Sequence, residues 1–273
     1  MFDYFINSFK RKMARRYFKR YPSVVTTFNL SETGPIAFAN WSNPLVLPKD
    51  MTQEKVDFFK KLAPEGSMCL DIGANIGEHT VSMALAVGKS GLVVSFDPNP
   101  IVFDVLKANS ELNPQLTNIK PFNCAVSETD SEYYYNSSEA SFSNGGISLE
   151  KTSNHGKFQL EQKIKGVNLN TFLHAHFAEN LSTLRLIKVD TEGYDKEILK
   201  SIAPVIARYK PVIIAECFPK LNKAERLDLF NTIAQHGYDL YYFRDIDRTT
   251  ETLKITQDDM ERWKHFDIYA LPK

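Results

Sequence analysis

The sequence predicts an α/β protein with a doubly wound, mostly parallel sheet of seven strands that ends in an antiparallel pair. First, short apolar runs alternate with helix-like segments from residue 51 onward, as in parallel strands joined by crossover helices. Second, a turn that contains glycine connects the first of these strands to a helix. Third, two β-rich runs, residues 238–243 and 266–271, end the alternation. A chain of 273 residues suits one large domain of this kind.

The elements follow from apolar runs and helix breakers. The first helix, over residues 53–62, ends before Pro64 and Gly66. Apolar runs predict the buried strands 68–72, 92–96, 119–126, 184–189 and 211–216. Helices are predicted over residues 77–88, 101–112, 195–207 and 223–236. Residues 127–170 are polar and rich in Ser, Asn and Gly, and we interpret them as a β-rich insertion near the active site.

Residues 1–50 are predicted to form a basic extension that packs on a main domain of residues 51–273. The extension has strand character at residues 24–28 and 35–38. Residues 1–30 carry seven Lys and Arg and one acidic residue, whereas the whole chain has a formal net charge of zero. The positive charge is therefore concentrated at one end of the chain.

Residues 3–21 predict a helix that ends before Pro22 and has Phe2, Phe5 and Phe9 on one stripe. Two interpretations are open. In the favoured one, the helix packs its aromatic residues on the main domain and exposes its basic face to solvent. In the other, residues 1–21 contact a membrane surface or another anionic partner.

The composition excludes several classes of protein. Cys69, Cys124 and Cys217 stand in or beside apolar runs, which indicates core residues in a reducing compartment. No residues have the spacing of a metal site, so we predict none. No run is apolar enough for a membrane span or a signal peptide, and we expect a cytoplasmic protein, peripheral to the membrane if residues 1–21 contact it. The chain as a whole is neutral and its basic patch is confined to the extension, which argues against a nucleic-acid partner.

The sharpest local signal is Asp71-Ile72-Gly73-Ala74-Asn75-Ile76-Gly77-Glu78-His79-Thr80, where a buried strand ends in a turn and a helix begins. Its small residues allow a ligand to approach the backbone. A dinucleotide fingerprint requires glycine at the positions of Asn75 and Glu78. The Glu78 carboxylate would repel a pyrophosphate but suits an ammonium or a sulfonium, which favours S-adenosylmethionine over NAD. The alternative for Glu78 is an ordinary charge at a helix N-terminus.

Two further runs follow the next strands. Phe96-Asp97-Pro98-Asn99-Pro100 places an acid where it can accept hydrogen bonds from both hydroxyls of a ribose. Asn123-Cys124-Ala125-Val126 supplies small apolar residues that could flank an adenine ring. Neither run identifies a ligand alone, but their positions at successive strand ends agree with the glycine turn.

A fourth run, Ile187-Lys188-Val189-Asp190-Thr191-Glu192-Gly193-Tyr194, ends another strand. Strand alternation places Lys188 and Asp190 on one face. We expect Lys188 to form a buried ion pair with Asp71 or Glu216, because a buried lysine needs a partner.

Together these four runs resemble the FkbM family of methyltransferases in the class I Rossmann-like superfamily, from about residue 68 to residue 273. The resemblance implies an S-adenosylmethionine cofactor and O-methyl transfer to hydroxyls of sugars, glycolipids or polyketide-type metabolites. It implies that the cofactor is surrounded by Asp71, Gly73, Asn75, Gly77, Asp97, Ala125 and Asp190. We predict contacts also for their neighbours Ala74, Glu78, Thr80, Pro98, Asn99 and Val126. The chain departs from the family at Asn170, where Asp is usual, and at Asp97, where Glu is frequent.

A hydroxyl acceptor, on a small molecule or a glycan, must lose its proton, so a positioned base is expected. Asp190 and Glu192 are the first candidates for this base, and His79 is the third. The paired glycines in Ser143-Asn144-Gly145-Gly146-Ile147-Ser148 predict a lid or acceptor wall, with an ordinary surface turn as the alternative. Two other functions stay open: an NAD-type oxidoreductase, and a catalytically silent cofactor-binding module with a membrane-associated N-terminal segment.

Overall fold

The computed structural model describes residues 2–151, 156–244 and 253–273. The extension contains helix α1 (Phe2–Arg16) and the antiparallel hairpin of β1 (Ser23–Leu30) and β2 (Gly34–Trp41). The first half of the main domain consists of α2 (Gln53–Leu62), β3 (Met68–Ile72), α3 (Glu78–Val87), β4 (Leu92–Phe96), α4 (Pro100–Glu111) and β5 (Ile119–Phe122). Strands and helices alternate here as the sequence predicts.

The second half begins with the insertion. Its strands are β6 (Ala125–Ser127), β7 (Ser131–Ser137), β8 (Gly146–Ser148), β9 (Phe158–Gln159) and β10 (Ile164–Asn168). The remaining elements are α5 (Leu169–His176), β11 (Leu184–Val189), α6 (Asp195–Ser201), α7 (Ala203–Tyr209), β12 (Val212–Cys217), α8 (Lys223–Ala234), β13 (Tyr238–Phe243), β14 (Leu253–Lys254) and β15 (Phe266–Pro272). Residues 152–155, within the predicted insertion, lie outside the described part of the chain.

The main sheet has the strand order β14-β13-β15-β12-β11-β3-β4-β5. The five strands from β12 to β5 are parallel, and β15 pairs antiparallel with both β12 and β13. The doubly wound sheet and its antiparallel end are thus confirmed. The short strand β14 adds an eighth member, where the sequence predicts seven.

Alternate residues of each central strand face two separate apolar cores. Leu70 and Ile72 of β3 pack with residues of α5 to α8, whereas Cys69 packs with residues of β2 and α2 to α4. Both faces of the sheet are therefore covered, which explains why its strands are apolar on both sides. The ligand-binding positions of such a sheet are left at the carboxyl ends of its strands.

Two predicted elements are each divided in the structure. The predicted strand over residues 119–126 is two strands, because β5 pairs with β4 while β6 pairs in parallel with β10 of a second sheet. The predicted helix over residues 195–207 is divided between α6 and α7, with Ile202 at the junction and Pro204 within the first turn of α7. The continuous apolar pattern in the sequence concealed both breaks.

The insertion is β-rich, as the sequence predicts. Its five strands form a separate sheet in the order β6-β10-β7-β8, with β9 also paired to β7. This second sheet stands beside the carboxyl ends of the main strands, because β6 follows β5 directly. The structure thereby brings residues of the insertion to the predicted ligand edge.

The extension contacts the main domain through its hairpin. The side chains of Asn109, on α4, and Asn113, just beyond its end, exchange hydrogen bonds with the backbone of Ala39 and Ala37, respectively. Helix α1 is different. The interpretation that its aromatic residues pack on the domain is wrong for Phe5 and Phe9, whose exposed fractions are 64% and 63%.

Helix α1 contacts the domain near its end instead. Ala14 is fully buried, and its carbonyl and that of Arg15 accept hydrogen bonds from the backbone of Ser141 and Ala140. A small side chain permits this close approach, which leaves the larger apolar residues of α1 in solvent. The side chain of Phe2 lies outside the described part of the chain. No helix in the described ranges is both long and apolar enough to cross a bilayer.

Candidate cofactor and acceptor site

A cavity of about 240 Å³ opens where the carboxyl ends of β3, β4 and β11 meet the insertion sheet. Nine of the predicted cofactor and base residues line it, and they come from all four runs: Gly73, Asn75, Asp97, Pro98, Asn99, Ala125, Val126, Asp190 and Glu192. The insertion supplies the opposite wall through Tyr135 and residues 143–147. The cavity therefore joins the predicted cofactor residues to the first two candidates for the base.

The glycine turn brings two strand ends into contact. Gly73 has a φ of +79°, and a Cβ atom there would overlap the backbone carbonyl of Asp190. The amide of Asp190 in turn donates to the carbonyl of Ile72 at 3.0 Å. Only glycine fits this position, because both the backbone conformation and the space exclude a side chain.

Asp97 is held by the backbone on both of its oxygens. Oδ2 accepts from the amide of Asn75 at 2.8 Å, and Oδ1 accepts from the amide of Asn99 at 2.9 Å. An ionised carboxylate offers about four acceptor positions, so this pairing leaves capacity for a ligand's hydroxyls. Burial raises the pKa of Asp97 to about 7, although the two backbone hydrogen bonds oppose the rise.

Asn99 joins the cavity to the insertion. Its Oδ1 caps α4 by accepting from the amide of Ile101 at 3.1 Å. Its Nδ2 donates to the carbonyl of Phe142 at 2.7 Å and lies 3.3 Å from the hydroxyl of Tyr135. The polar atoms of Asn99 are thus engaged within the protein and connect α4 to the wall that the insertion forms.

Several predicted cofactor residues lie behind the cavity and not on its surface. Asp71 is fully buried, accepts a 2.6 Å hydrogen bond from the hydroxyl of Thr80, and lies 3.7 Å from Nζ of Lys188. Ala74 is also buried, and Gly77 packs against Leu106 of α4. These residues support the turn from inside the fold, so direct cofactor contact by them is not what this geometry favours.

Glu78 also lies outside the cavity, with its carboxylate 2.7 Å from Nζ of Lys49 and 2.6 Å from Nζ of Lys55. Burial opposes its ionisation, but His79 and the two lysines outweigh burial and lower the pKa of Glu78. The argument that Glu78 would repel a pyrophosphate therefore loses its basis. His79 packs beside Phe59 and does not line the cavity, and burial with the charge of Lys188 lowers its pKa.

The expected ion pair of Lys188 is present. Its Nζ lies 3.7 Å from Asp71 and donates to Oδ2 of Asp190 at 3.2 Å. Burial of Lys188 and partial desolvation of Asp190 oppose their charges, but their mutual attraction outweighs this, raising the pKa of Lys188 and lowering that of Asp190. Asp190 is half-exposed and stays ionised at neutral pH, which makes it a weak base.

Glu192 has different properties. Its φ is +59°, a conformation that a residue with a side chain rarely adopts. Partial desolvation at the cavity wall, followed by the nearby charge of Asp190, raises the pKa of Glu192, although the residue as a whole is exposed. The turn is held by Asp195, whose Oδ2 accepts from the amides of Thr191 and Gly193 at 3.4 and 3.3 Å. A strained residue on a cavity wall is typical of functional sites.

Asp195 and Glu216 extend this side into a group of buried acids. No role was predicted for Asp195 from the sequence, and Glu216 was considered as a partner of Lys188. Burial raises the pKa of Asp195 to about 6 and that of Glu216 to about 9, with the charge of Asp190 as the next cause in both. Glu216 is hydrogen-bonded to Nε2 of His265 at 2.9 Å. Among the described residues, no group of His, Cys, Asp or Glu has the arrangement of a metal site.

Sequence reasoning gave no role to Tyr135, Tyr194 or Asp195. Strand alternation places Tyr133 and Tyr135 on the same buried face of β7, and this pattern was a signal in the sequence for Tyr135. The predicted loop fares better, because Ser143, Asn144, Gly145, Gly146 and Ile147 line the cavity, whereas Ser148 does not. Closure of this loop as a lid stays a prediction.

Comparison with known protein families and proteins gives matches to methyltransferases. Residues 71–240 match the model of the methyltransferase FkbM domain. The chain is 25% identical over 160 residues to methyltransferase sdnD of Sordaria araneosa, covering 51% of this chain and 61% of that protein. It is 26% identical over 162 residues to hexuronic acid methyltransferase AglP of Haloferax volcanii, covering 59% of this chain and 61% of that protein. It thus spans about three fifths of these relatives.

Among solved structures, the chain is similar to methyltransferase FkbM from Methylobacillus flagellatus. The TM-score is 0.46 at 14% identity, with 78% of this chain and 50% of that chain covered. An O-methyltransferase from Bacillus cereus, solved with S-adenosylhomocysteine, gives a TM-score of 0.45 at 12% identity, with 82% and 83% covered.

Proposed function

The chain belongs to the FkbM methyltransferase family, and from that premise we propose that it is an S-adenosylmethionine-dependent O-methyltransferase. Its proposed acceptor is a hydroxyl of a sugar, a glycan, a glycolipid or a related small metabolite. The observation that carries the proposal is the placement of Asp97 and Glu192 on one cavity. One carboxylate has free capacity for the hydroxyls of a ribose, and the other can receive the acceptor's proton.

The charge of the cavity supports a cationic cofactor over a dinucleotide. Asp97, Asp190 and Glu192 line the cavity, and no Lys, Arg or His is among its lining residues in the described ranges. A pyrophosphate would meet these carboxylates without a cation on the surface, whereas a sulfonium and an ammonium are attracted to them. The acids of the cavity thus take over the argument against NAD that Glu78 was expected to provide.

The apolar part of the cavity suits an adenine ring. Ala125 and Val126 offer small side chains, and Phe96 and Val102 add apolar surface. We propose that the adenine binds there, that the ribose binds Asp97, and that the backbone of Gly73 to Asn75 approaches the cofactor closely. Bound S-adenosylmethionine supplies a methyl group that its sulfonium has already activated for displacement.

The protein's own part in the reaction is to align the acceptor, exclude water and accept one proton. We assign proton acceptance to Glu192, because its raised pKa makes it a better base than Asp190. Asp190, paired with Lys188, would instead keep the negative charge that favours the cofactor's cation. The wall formed by residues 143–147 would separate the reacting groups from solvent.

A carbohydrate acceptor is supported by the relative AglP, which is named a hexuronic acid methyltransferase. The cavity adds hydroxyl and amide groups on its insertion side, through Ser143, Asn144 and Tyr135. Such groups can exchange hydrogen bonds with the hydroxyls of a sugar. A small hydroxylated metabolite is the alternative, because this surface does not distinguish the two by charge.

Titration calorimetry with S-adenosylmethionine, S-adenosylhomocysteine and NADH tests the cofactor. We expect heat with the first two and none with NADH. Asp97→Ala should abolish the heat, whereas Asp104→Ala, which removes a solvent-exposed carboxylate of α4 (Asp104 is 66% exposed), should not. Binding of NADH alone would reverse the assignment and restore the oxidoreductase.

Release of S-adenosylhomocysteine in a screen of acceptors, sugar-containing glycans first, tests the activity. We expect turnover with at least one hydroxyl acceptor. We expect no turnover when that acceptor is replaced by its deoxy or O-methylated analogue. Cofactor binding without turnover on any acceptor class in the screen would favour the catalytically silent module.

A further inference from the structure

Helix α1 exposes an apolar stripe that the fold leaves uncovered. Phe5, Phe9 and Met13 follow one another at intervals of four residues and therefore lie on one face of the helix. Their exposed fractions are 64%, 63% and 38%, and Ile6, beside them, is 37% exposed. Buried Ala14 lies roughly 140–180° around the helix from Phe9 and Phe5, at about 100° per residue. The helix thus docks through one side and presents its apolar side to solvent.

Basic residues accompany this stripe. All seven are exposed: Lys10, Arg11, Lys12, Arg15, Arg16, Lys19 and Arg20. Within the described residues, ion pairs involve only Arg15, with Glu139 at 3.4 Å, and Arg20, with Asp104 at 3.3 Å. The exposed rings of Tyr17 and Phe18 continue the surface beyond the helix. This segment therefore combines a large uncompensated positive charge with exposed aromatic side chains.

We propose that α1 binds the surface of a membrane rich in anionic phospholipid and lies parallel to it. Phe5, Phe9 and Met13 enter the boundary between headgroups and acyl chains, and the basic side chains contact the lipid phosphates. The rings and charges together specify this partner. A nucleic acid would neutralise the charges but leave the apolar stripe in water. It therefore explains the basic residues of this surface and not its exposed apolar residues.

The contacts of α1 connect this surface to the cavity. The carbonyls of Ala14 and Arg15 accept hydrogen bonds from residues 141 and 140, and the rings of Phe18 and Phe142 lie 6.1 Å apart. The carbonyl of Phe142 accepts from Asn99, and the next residues line the cavity. Membrane binding would thus hold the cavity wall near the lipid surface, and this consequence, unlike the binding itself, rests on the proposed function.

Co-sedimentation of the full chain with vesicles tests the proposal. We expect binding to vesicles of phosphatidylcholine with phosphatidylserine, little binding to phosphatidylcholine alone, and release by high salt. The double variants Phe5→Ser/Phe9→Ser and Arg11→Gln/Lys12→Gln should each lower the affinity at least roughly 10-fold. Circular dichroism and thermal unfolding should match the parent protein, because all four side chains are exposed.

Two matched controls carry the same chemistry elsewhere on the surface. Val24→Ser/Val25→Ser removes apolar side chains that are 57% and 54% exposed on β1, and Lys107→Gln/Lys120→Gln removes two exposed charges from α4 and β5. We expect both controls to bind vesicles like the parent protein. Equal losses in the controls and the α1 variants would overturn the assignment to this helix.

Other partners give distinguishable results. A dimer in sedimentation equilibrium that Phe5→Ser/Phe9→Ser dissociates, together with no vesicle binding, would overturn the proposal in favour of a second copy. The proposal would also be overturned, in favour of a polyanion, if the protein bound RNA and not vesicles. In that case the glutamine substitutions would weaken RNA binding and the serine substitutions would not. Calorimetry with S-adenosylhomocysteine separates the two proposals, since the α1 variants should bind this ligand normally.

Discussion

The two flanks of the cavity satisfy their polar groups in different ways. On the flank of β3 and β4, Asp97 has a backbone donor on each oxygen, and Asp71 is bound by Thr80. On the flank of β11 and β12, the acids crowd together, and Glu192 occupies a strained conformation. The first flank is organised before a ligand arrives, whereas the second keeps unfavourable charge that a substrate or a proton can relieve. We expect substitutions on the first flank to affect folding and cofactor binding, and those on the second to affect turnover and pH dependence.

The largest effect is expected where the two flanks touch, at Gly73. Gly73→Ala should lower the free energy of unfolding by about 4 kcal/mol or more, because the new methyl group overlaps the carbonyl of Asp190 and φ is positive. Thermal and denaturant unfolding measure the change. Loss of soluble protein would be the extreme form of the same result.

Gly34→Ala is the matched control for this prediction. Gly34 has a similar φ of +84° in the β1–β2 hairpin, but no atom lies within 4 Å of the Cβ position. It should cost about 1 kcal/mol, the strain of the backbone alone. Equal destabilisation by both substitutions would show that close contact between the flanks is unimportant.

The next largest effect concerns the base. Glu192→Gln should lower methyl transfer on the order of 10²-fold, with unchanged affinity for S-adenosylhomocysteine, because Gln cannot accept the acceptor's proton. Asp190→Asn should have a smaller effect on turnover, although it weakens the ion pair of Lys188. Turnover is measured on an acceptor from the screen, after circular dichroism has shown that both variants fold. Retention of turnover by Glu192→Gln and its loss in Asp190→Asn would move the role to Asp190.

A smaller effect is expected for the cofactor's sugar. Asp97→Asn should weaken S-adenosylhomocysteine binding roughly 10- to 100-fold, through the loss of charged hydrogen bonds. Since burial raises the pKa of Asp97 to about 7, the carboxyl is protonated below that pH and accepts fewer hydrogen bonds. Affinity in the parent protein should therefore rise between pH 6 and pH 8. The dependence should be absent in Asp97→Asn, and calorimetry at both pH values checks it.

The same contrast explains which features the sequence could predict. The strand ends at Ile72 and Phe96 were predicted to the residue, because apolar runs and turn residues encode them locally. The lysines that neutralise Glu78, by contrast, come from other elements, and Lys55 is 23 residues away in the chain. The division of residues 119–126 depends on pairing with β10, some forty residues later. Contacts between distant segments leave no local pattern in the sequence. The predictions about these features were therefore wrong or absent.

The acidic flank was the least predictable part of the site. Asp190 and Glu192 were identified from one run, but their pKa values move in opposite directions because Lys188 donates to Asp190 alone. The hydrogen bond between Glu216 and His265 connects residues that are 49 positions apart in the chain. Strand alternation could place Lys188 and Asp190 on one face. It could not determine which of the two carboxylates, Asp190 or Glu192, has the raised pKa.

The smallest predicted effect tests whether this flank stores unfavourable charge. Burial and the neighbouring acids raise the pKa of Glu216 to about 9, from an ordinary value of 4.5. Between these values the folded protein keeps a proton that the unfolded chain releases, so stability should fall as pH rises through this window, by at most about 1.4 kcal/mol per pH unit. Glu216→Gln removes this proton while keeping a side chain that can bond to His265. Its free energy of unfolding should therefore fall less between pH 6 and pH 8 than that of the parent protein.

Denaturant unfolding at the two pH values measures that difference, which we expect to be about 1–2 kcal/mol. Part of the pH dependence should persist in Glu216→Gln, because burial also raises the pKa values of Asp97 and Asp195, to about 7 and about 6. Glu161→Gln, at an exposed position in the insertion, is the control and should reproduce the parent protein at both pH values. If Glu216→Gln also behaves like the parent protein, Glu216 is already ionised at pH 6. The partners of the acids on this flank, Lys188 and His265, would then stabilise the carboxylates as well as backbone hydrogen bonds stabilise Asp97 on the other flank. The two flanks would differ in geometry and not in charge.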